Sequence, residues 1–246
     1  MSIKTTEELE NLKAIGRIVR ESLDAMAAAV RAGISTQELD EIGLRVLRAR
    51  GAEPAPAKVY GFPGSACISV NDEAVHGIPG ARVLQDGDIV KLDLVACNDG
   101  FFADAAVTVP VGKVSATADA LIRCAESAFR KAVKVARVGF RANDIGRAVE
   151  RETRRLGFNV MPDLGGHGVG RTIHEAPDVP NYFEPKSRAR LTEGLVLAVE
   201  PIVTNGSGRA VAMRDGWTIR TADRTLAAHY EHTIVITRGE PILLTA

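Results

Sequence analysis

The sequence predicts an α+β protein in which one unit, two helices followed by an antiparallel sheet, occurs twice along the chain. Apolar residues recur every three or four positions in residues 5–51 and again in residues 115–157, the spacing of amphipathic helices. Short β-branched runs broken by glycine and proline turns follow each helical region, in residues 52–110 and 158–244. Short motifs also recur in the same order in both parts, which indicates an internal repeat.

The helices of the first half have recognisable start signals. Thr5 and Glu8 are spaced as a capping box at the start of the first helix, and Ser35 and Glu38 have the same spacing at the start of the second. Glycines follow the predicted helix ends in both halves. The predicted helices are residues 5–30, 35–51, 115–138 and 139–157.

The repeat can be followed residue by residue. The matched segments are Leu84–Asp93 with Leu191–Glu200, His76–Pro79 with His174–Pro177, and Asp99–Phe101 with Asp215–Trp217. The first match ends on a carboxylate in both copies, and the second begins on a histidine in both. We therefore expect a single domain over residues 1–246, in which half-repeats of about residues 1–112 and 113–246 face each other across a shared cleft.

Composition excludes several classes of protein. The 31 basic and 31 acidic side chains cancel, which argues against broad attachment to nucleic acid or to an anionic membrane. No apolar run approaches the roughly 18 to 20 residues of a membrane span, and residues 1–10 are charged where a secretory signal would be apolar. The three cysteines include no Cys-x-x-Cys pair, so we expect reduced thiols in a cytoplasmic protein.

Two carboxylates flank the predicted turn Asn98–Gly100. If Asp99 and Gly100 form a two-residue hairpin turn, Asp93 falls opposite Ala106 and Asp104 lies diagonally beside Asp93 on one face. Such neighbours repel each other unless a cation, a shared proton or open water offsets their charge. The apolar run around Asp93 favours burial with a cation over exposure to water.

The second half adds further candidate ligands. Glu200 ends an apolar run, Glu231 precedes an alternating strand, and His167 lies in a glycine-rich segment where backbone can approach closely. Taken singly, such acids are more often caps or solvated groups, and such a histidine is more often a packing residue. Together, four carboxylates and one imidazole in matched half-chains suit two divalent ions such as Mn, Fe, Co or Zn.

Other catalytic motifs are incomplete. The glycine-rich segment around His167 lacks the third glycine of a dinucleotide-binding loop. Ser65 has Pro63 where a nucleophile elbow requires glycine, and His174 has no second histidine four residues further on. These patterns argue against dinucleotide-dependent, serine-dependent and zincin-like chemistry.

The motifs as a set resemble type I methionine aminopeptidases over nearly the whole chain. The segments that carry the resemblance are Phe62–Asn71, His76–Pro79, Gly166–Arg171, His174–Pro177, Glu200–Pro201, Asp215–Trp217 and Tyr230–Thr233. The resemblance implies the pseudo-twofold pita-bread α+β fold, which the internal repeat would produce. It also implies release of an initiator methionine when the second residue is small, by hydroxide that the metals activate.

The resemblance assigns metal ligands to five positions. Asp93 would bind one divalent ion, His167 and Glu200 the other, and Asp104 and Glu231 would bridge the pair. Two ions per chain are implied, with Co, Mn, Fe and Zn left open.

The resemblance also assigns substrate contacts. Glu200 would act as general base and later protonate the leaving amine, His174 would stabilise the oxyanion, and His76 would contact the scissile amide. The pocket for the methionine side chain would be formed by Phe62, Cys67, Trp217 and Val59. Val59 and Phe62 stand where tyrosines are frequent in the family, which affects the fine shape of the pocket.

Three rival functions stay open. A proline-directed aminopeptidase or dipeptidase would share the fold but usually has an additional N-terminal domain. A binding protein without metal, or a metal-free hydrolase, would have lost ligands that are all in place here. The expected partners are nascent polypeptides or peptides that begin with methionine, and the expected state is a monomer. Ribosome association is a hypothesis that no basic tail or extension in the sequence supports.

Overall fold

The computed structural model describes all 246 residues. Its five helices are α1 (Thr6–Ala29), α2 (Thr36–Ala49), α3 (Ala55–Tyr60), α4 (Ala116–Val133) and α5 (Ala142–Arg155). The two predicted helix pairs are confirmed as α1–α2 and α4–α5, although α4 ends five residues before the expected position 138. The short helix α3 was not predicted. None of the helices has the combination of length and apolar character that crossing a membrane requires.

Fifteen short strands make up three sheets. They are β1 (Glu53–Pro54), β2 (Cys67–Val70), β3 (Glu73–Val75), β4 (Ile89–Asn98), β5 (Phe101–Pro110), β6 (Asn159–Val160), β7 (Gly165–Gly168), β8 (Glu175–Pro180), β9 (Val196–Val199), β10 (Ile202–Thr204), β11 (Ala210–Ala212), β12 (Ile219–Thr221), β13 (Ala227–His229), β14 (Glu231–Val235) and β15 (Ile242–Leu243). The nine-stranded sheet has the order β1-β4-β5-β14-β9-β7-β8, with β2 on β4 and β15 on β14. The smaller sheets are β13-β10-β6 and β11-β12-β3.

The hairpin β4–β5 has the predicted register. Asn98 pairs with Phe101 and Asp93 pairs with Ala106, and both turn residues have positive φ, 50° at Asp99 and 78° at Gly100. That backbone geometry matches the twist of the flanking strands. The turn chemistry therefore sets which residues of the two strands face each other.

The large sheet joins the two half-chains through β5 and β14. Glu231 of β14 pairs with Ala106, the residue that Asp93 faces from the other side. Leu92 and Leu94 point away from Asp93 because side chains alternate along a strand, and they join the core that packs against α1. Helices therefore cover one face of this sheet, and the carboxylates lie on the other.

One part of the predicted repeat is wrong. In the first half β4 and β5 are joined by the two-residue turn at Asp99, whereas in the second half residues 200–230 separate β9 from β14 and contain β10 to β13. The supposed counterpart of the first turn, Asp215–Trp217, instead joins β11 to β12 in a separate sheet with β3. The likeness of these two turns reflects shared turn chemistry and no shared place in the repeat.

Candidate functional site

The face of the large sheet opposite α1 forms the floor of a cleft of about 680 Å³. Nearly all the candidate residues from both half-chains line it. They are His76, Asp93, Asp104, His167, His174, Glu200 and Glu231, together with Phe62, Cys67 and Trp217. Residues from both half-chains therefore meet at one site.

Val59 is the exception among the candidates. Val59 is 40% exposed and does not line the cleft, so in this structure it does not form the expected pocket wall. Val59 lies on the short helix α3, where the next residue, Tyr60, points in another direction and lines the cleft instead. Residues 52–110 were predicted to form strands. That prediction did not include this helix, and so it did not include the different directions of the two side chains.

His167 lies close to two of the candidate carboxylates. Its Nε2 is 3.8 Å from Oδ2 of Asp104 and 3.5 Å from Oε1 of Glu200. On the other side of the ring, Nδ1–H donates to the carbonyl oxygen of Gly168 at 2.9 Å. This hydrogen bond leaves the lone pair of Nε2 directed at the carboxylates, which is the tautomer a metal ligand requires.

Burial perturbs all four carboxylates. It raises the pKa of Asp93 to about 7, and it raises the pKa of Asp104, Glu200 and Glu231 well above their usual range. The negative charges of the neighbouring acids add to this effect at Asp104, Glu200 and Glu231.

Two buried oxygens of the cluster have no hydrogen-bond partner, Oδ1 of Asp104 and Oε1 of Glu231. Unpaired carboxylate oxygens packed together at this depth are costly unless a cation offsets their charge. Oxygen donors with one imidazole match what hard and borderline divalent cations prefer. The residues present therefore fit a divalent metal site.

Two further histidines, His76 and His174, line the cleft from positions outside the strands of the sheet floor. Nδ1 of His174 is hydrogen-bonded to Oη of Tyr60 at 2.8 Å, and the rings of His174 and His167 lie 4.2 Å apart. His76 has a left-handed backbone with φ of 58°, an uncommon conformation for a residue other than glycine. Burial lowers the pKa of both His76 and His174, which favours their neutral forms.

An apolar pocket adjoins the carboxylates. Phe62 and Trp217 meet edge to face with ring centroids 5.2 Å apart, and Cys67 pairs with Asp93 across β2 and β4. Burial raises the pKa of the Cys67 thiol well above its usual range, so this side chain is a neutral, polarisable surface. Ile202 of β10 also lines this region and was not anticipated.

Sequence reasoning also missed His229. It lies two residues before Glu231, is almost fully buried, and has Nε2 within 3.5 Å of two candidate carboxylates. The only sequence signal is its separation by two from Glu231, which places both side chains on one side of an extended segment.

Comparison with known proteins assigns the family. Residues 10–238 match metallopeptidase family M24. The chain belongs to this family. Two relatives of this M24 metallopeptidase are methionine aminopeptidase 2 of Bacillus subtilis, 45% identical over 247 residues (100% of this chain, 99% of the relative), and a methionine aminopeptidase of Clostridium perfringens, 43% identical over 243 residues (99% and 98%).

Solved structures confirm the pita-bread fold of this M24 metallopeptidase. Methionine aminopeptidase of Thermotoga maritima is similar with a TM-score of 0.96 and 37% identity, covering 100% of this chain and 99% of that one. The prolidase of Pyrococcus furiosus has a TM-score of 0.81 at 23% identity, covering 99% of this chain and 65% of that one. The similarity to the prolidase shows a shared fold and does not show a shared activity.

Proposed function

We propose that this M24 metallopeptidase removes the N-terminal methionine from peptides and newly made proteins whose second residue is small. The observation that carries the proposal is that a carboxylate–imidazole cluster and an apolar pocket of suitable character for a thioether line one cleft. The full-length likeness to proteins named methionine aminopeptidase, at 45% and 43% identity, supports it.

The metal ligands of this proposal are the five residues of the cluster. Asp93 would hold one divalent ion, His167 and Glu200 would hold the other, and Asp104 and Glu231 would contribute to both. The proximity of Nε2 of His167 to Asp104 and Glu200 supports this division of roles. Bound Co, Mn, Fe or Zn would polarise the scissile carbonyl and lower the pKa of water at the site.

Side chains of the protein transfer the protons and orient the substrate. Glu200 accepts a proton from the attacking water and later delivers it to the leaving amine. His174 donates a hydrogen bond to the oxygen of the scissile carbonyl, where negative charge develops, and Tyr60 holds the His174 ring through their 2.8 Å hydrogen bond. His76 contacts the scissile amide, and its constrained backbone supports a fixed orientation.

Substrate choice follows from the pocket. Phe62, Cys67 and Trp217 offer aromatic edges and a neutral thiol, surfaces that accommodate an unbranched, polarisable thioether. Crowding next to this pocket limits the second residue of the substrate to a small side chain.

The proposed setting is a cytoplasmic monomer that acts on nascent chains and associates with ribosomes. A zero net charge supports the absence of broad nucleic-acid binding. Ribosome co-sedimentation that weakens as salt is raised is the expected result for an electrostatic contact, and sedimentation insensitive to salt would contradict it.

The test compares three peptides. Metal-stripped protein, with and without added Mn or Co, is incubated with Met-Ala-Ser, Met-Leu-Ser and Ala-Pro-Ser, and the released amino acid is measured. Metal-dependent release of methionine from Met-Ala-Ser alone is expected. Cleavage of Ala-Pro-Ser would instead favour a proline-directed peptidase, and no cleavage with any metal would favour a binding protein.

A further inference from the structure

His229 is a fully buried side chain that none of the proposed roles uses. It ends β13, two residues before Glu231, and its side chain is 2% exposed. It does not line the cleft, although both Glu200 and Glu231 do. The imidazole therefore lies behind these two carboxylates, on their protein side.

The ring is aimed between the two carboxylates. Nε2 of His229 is 3.5 Å from Oε2 of Glu200 and 3.4 Å from Oε2 of Glu231. The other oxygen of Glu200, Oε1, faces Nε2 of His167 at 3.5 Å. Glu200 thus lies between two imidazoles, with His167 on its cleft side and His229 on its buried side.

Neither nitrogen of the His229 ring has a hydrogen-bond partner, although both are buried. Buried polar groups in folded proteins are nearly always paired, and an unpaired donor is rarer than an unpaired acceptor. A hydrogen at Nε2 would face two carboxylate oxygens, whereas a lone pair there would be repelled by them. The separations exceed an ordinary N–H···O distance by only a few tenths of an ångström, which a small carboxylate rotation removes.

We propose that His229 is a positioning residue of the metal centre, which donates Nε2–H to the buried-side oxygens of Glu200 and Glu231. The donation holds Oε2 of each carboxylate on the protein side and directs Oε1 towards the cleft. Oε1 of Glu231 is one of the oxygens without a hydrogen-bond partner, as expected for an oxygen kept free for a cation. This inference rests on the proposed assignment of Glu200 and Glu231 as metal ligands.

The mechanism makes a quantitative prediction. Groups that orient metal ligands through hydrogen bonds are typically worth about 10- to 100-fold in metal affinity or activity. A neutral amide can replace an imidazole as a donor, but a hydrocarbon side chain cannot. If His229 merely filled space, a hydrocarbon side chain would replace it at least as well as an amide.

The experiment measures Mn²⁺ affinity by calorimetry on metal-stripped, full-length wild type, His229→Leu and His229→Gln. His229→Leu should weaken Mn²⁺ binding about 10- to 100-fold. His229→Gln should stay within about fivefold of wild type, since its amide N–H restores the donation. Mn²⁺ affinity of His229→Leu equal to that of wild type would overturn the proposal.

A matched control uses the neighbouring buried histidine. His232 is 5% exposed, but its ring hydrogen-bonds to Thr245 and Tyr230 and to none of the candidate ligands. His232→Leu should lower thermal stability while Mn²⁺ affinity stays within about twofold of wild type. A loss of affinity equal to that of His229→Leu would show that any buried histidine here acts through stability alone.

A measurement on wild type needs no variant to fold. X-ray absorption of the Co²⁺-loaded protein should count one imidazole in the whole centre, that of His167. Two imidazoles would make His229 a direct ligand and overturn its positioning role. Mn²⁺ affinity and ligand counts do not depend on turnover. Failure to release methionine would therefore contradict the proposed function but not the positioning role of His229, which those two measurements test separately.

Discussion

Asp104 is a carboxylate whose charge reaches several other members of the cluster. Its negative charge contributes to raising the pKa of Glu200, Glu231 and Cys67, and it lies 3.8 Å from the ring of His167. A group so placed interacts with every other candidate ligand nearby. Its removal should therefore affect the whole metal site rather than one contact.

Asp104→Asn keeps the size of the side chain and removes its charge. We expect Mn²⁺ affinity to fall at least about 10-fold and methionine release to be abolished, because a bridging ligand is lost. Metal content and peptide cleavage are measured together. The surface carboxylate Asp119, paired with Arg123 on α4, provides the control Asp119→Asn, and normal metal content with normal turnover in Asp104→Asn would refute the assignment.

Tyr60→Phe tests the orientation of His174. The ring remains, but the 2.8 Å hydrogen bond to Nδ1 is lost, a change of about 0.5 to 1.5 kcal/mol. We expect kcat to fall about 2- to 10-fold with a smaller change in KM, whereas His174→Ala should lower kcat about 100-fold or more. Steady-state kinetics on Met-Ala-Ser separates the two parameters. Wild-type kcat in Tyr60→Phe would show that His174 is held by other contacts.

At the scale of the element, β7 carries His167 into the site because its glycines allow close approach. A Cβ built on Gly166 would overlap the carbonyl oxygen of Ala198 on β9, and one on Gly168 would overlap that of Ala176. The backbone atoms involved cannot give way as a flexible side chain would. The glycine-rich segment is therefore a packing requirement that positions the imidazole.

Gly166→Ala should push β7 away from β9 and displace His167. We expect a loss of roughly 1 to 3 kcal/mol in the free energy of unfolding, together with weaker Mn²⁺ binding. Urea denaturation and calorimetry measure the two effects. Gly80 has no heavy atom within 4 Å of a built Cβ, so Gly80→Ala serves as the control, and equal behaviour of the two variants would contradict the close-packing argument.

At the scale of the whole molecule, the buried carboxylates link stability to pH and to metal. Their pKa values are near 4 in the unfolded chain and raised in the folded one, to about 7 at Asp93. As pH rises from about 4 to 7, the unfolded chain releases these protons while the folded one retains them. The carboxylates therefore contribute a fall in the free energy of unfolding across this window. The five histidines, whose pKa values burial lowers, contribute a rise over the same window.

Divalent metal should offset the fall that the carboxylates contribute. Thermal unfolding is expected to show that Mn²⁺ raises the Tm more at pH 7 than at pH 5, because metal must displace the protons that the buried carboxylates hold at the lower pH. At a free metal concentration of 100 times Kd the stabilisation is about 2.7 kcal/mol. The Asp104→Asn protein should respond less to metal. A Tm unaffected by Mn²⁺ at pH 7 would contradict the linkage.

The expectation of one domain over residues 1–246 stays a prediction with its own test. Since β5 and β14 pair within one sheet, separating the half-chains would break a central ladder. Calorimetry of the metal-loaded protein should show one transition whose calorimetric and van't Hoff enthalpies agree. Two transitions would show that the half-repeats unfold independently.

Local patterns account for what could be predicted correctly. The helix pairs follow from apolar spacing, and the pairing of Asp93 with Ala106 follows from the chemistry of the Asp99–Gly100 turn. These features depend on residues near one another in the chain. The five candidate ligands were proposed because four carboxylates and an imidazole occur together in two matching half-chains, and the structure brings them to one cleft.

The remaining features depend on contacts between residues far apart in the chain. Tyr60 meets His174 only because α3 and the segment before β8 border the same cleft, and His229 faces Glu200 only because β13 returns beside β10. Local propensity carries no information about such encounters, since burial against distant elements decides them. For this reason the sequence sufficed for the two helix pairs and the register of the β4–β5 hairpin, whereas tertiary packing placed Tyr60 rather than Val59 in the cleft and an imidazole behind the carboxylates.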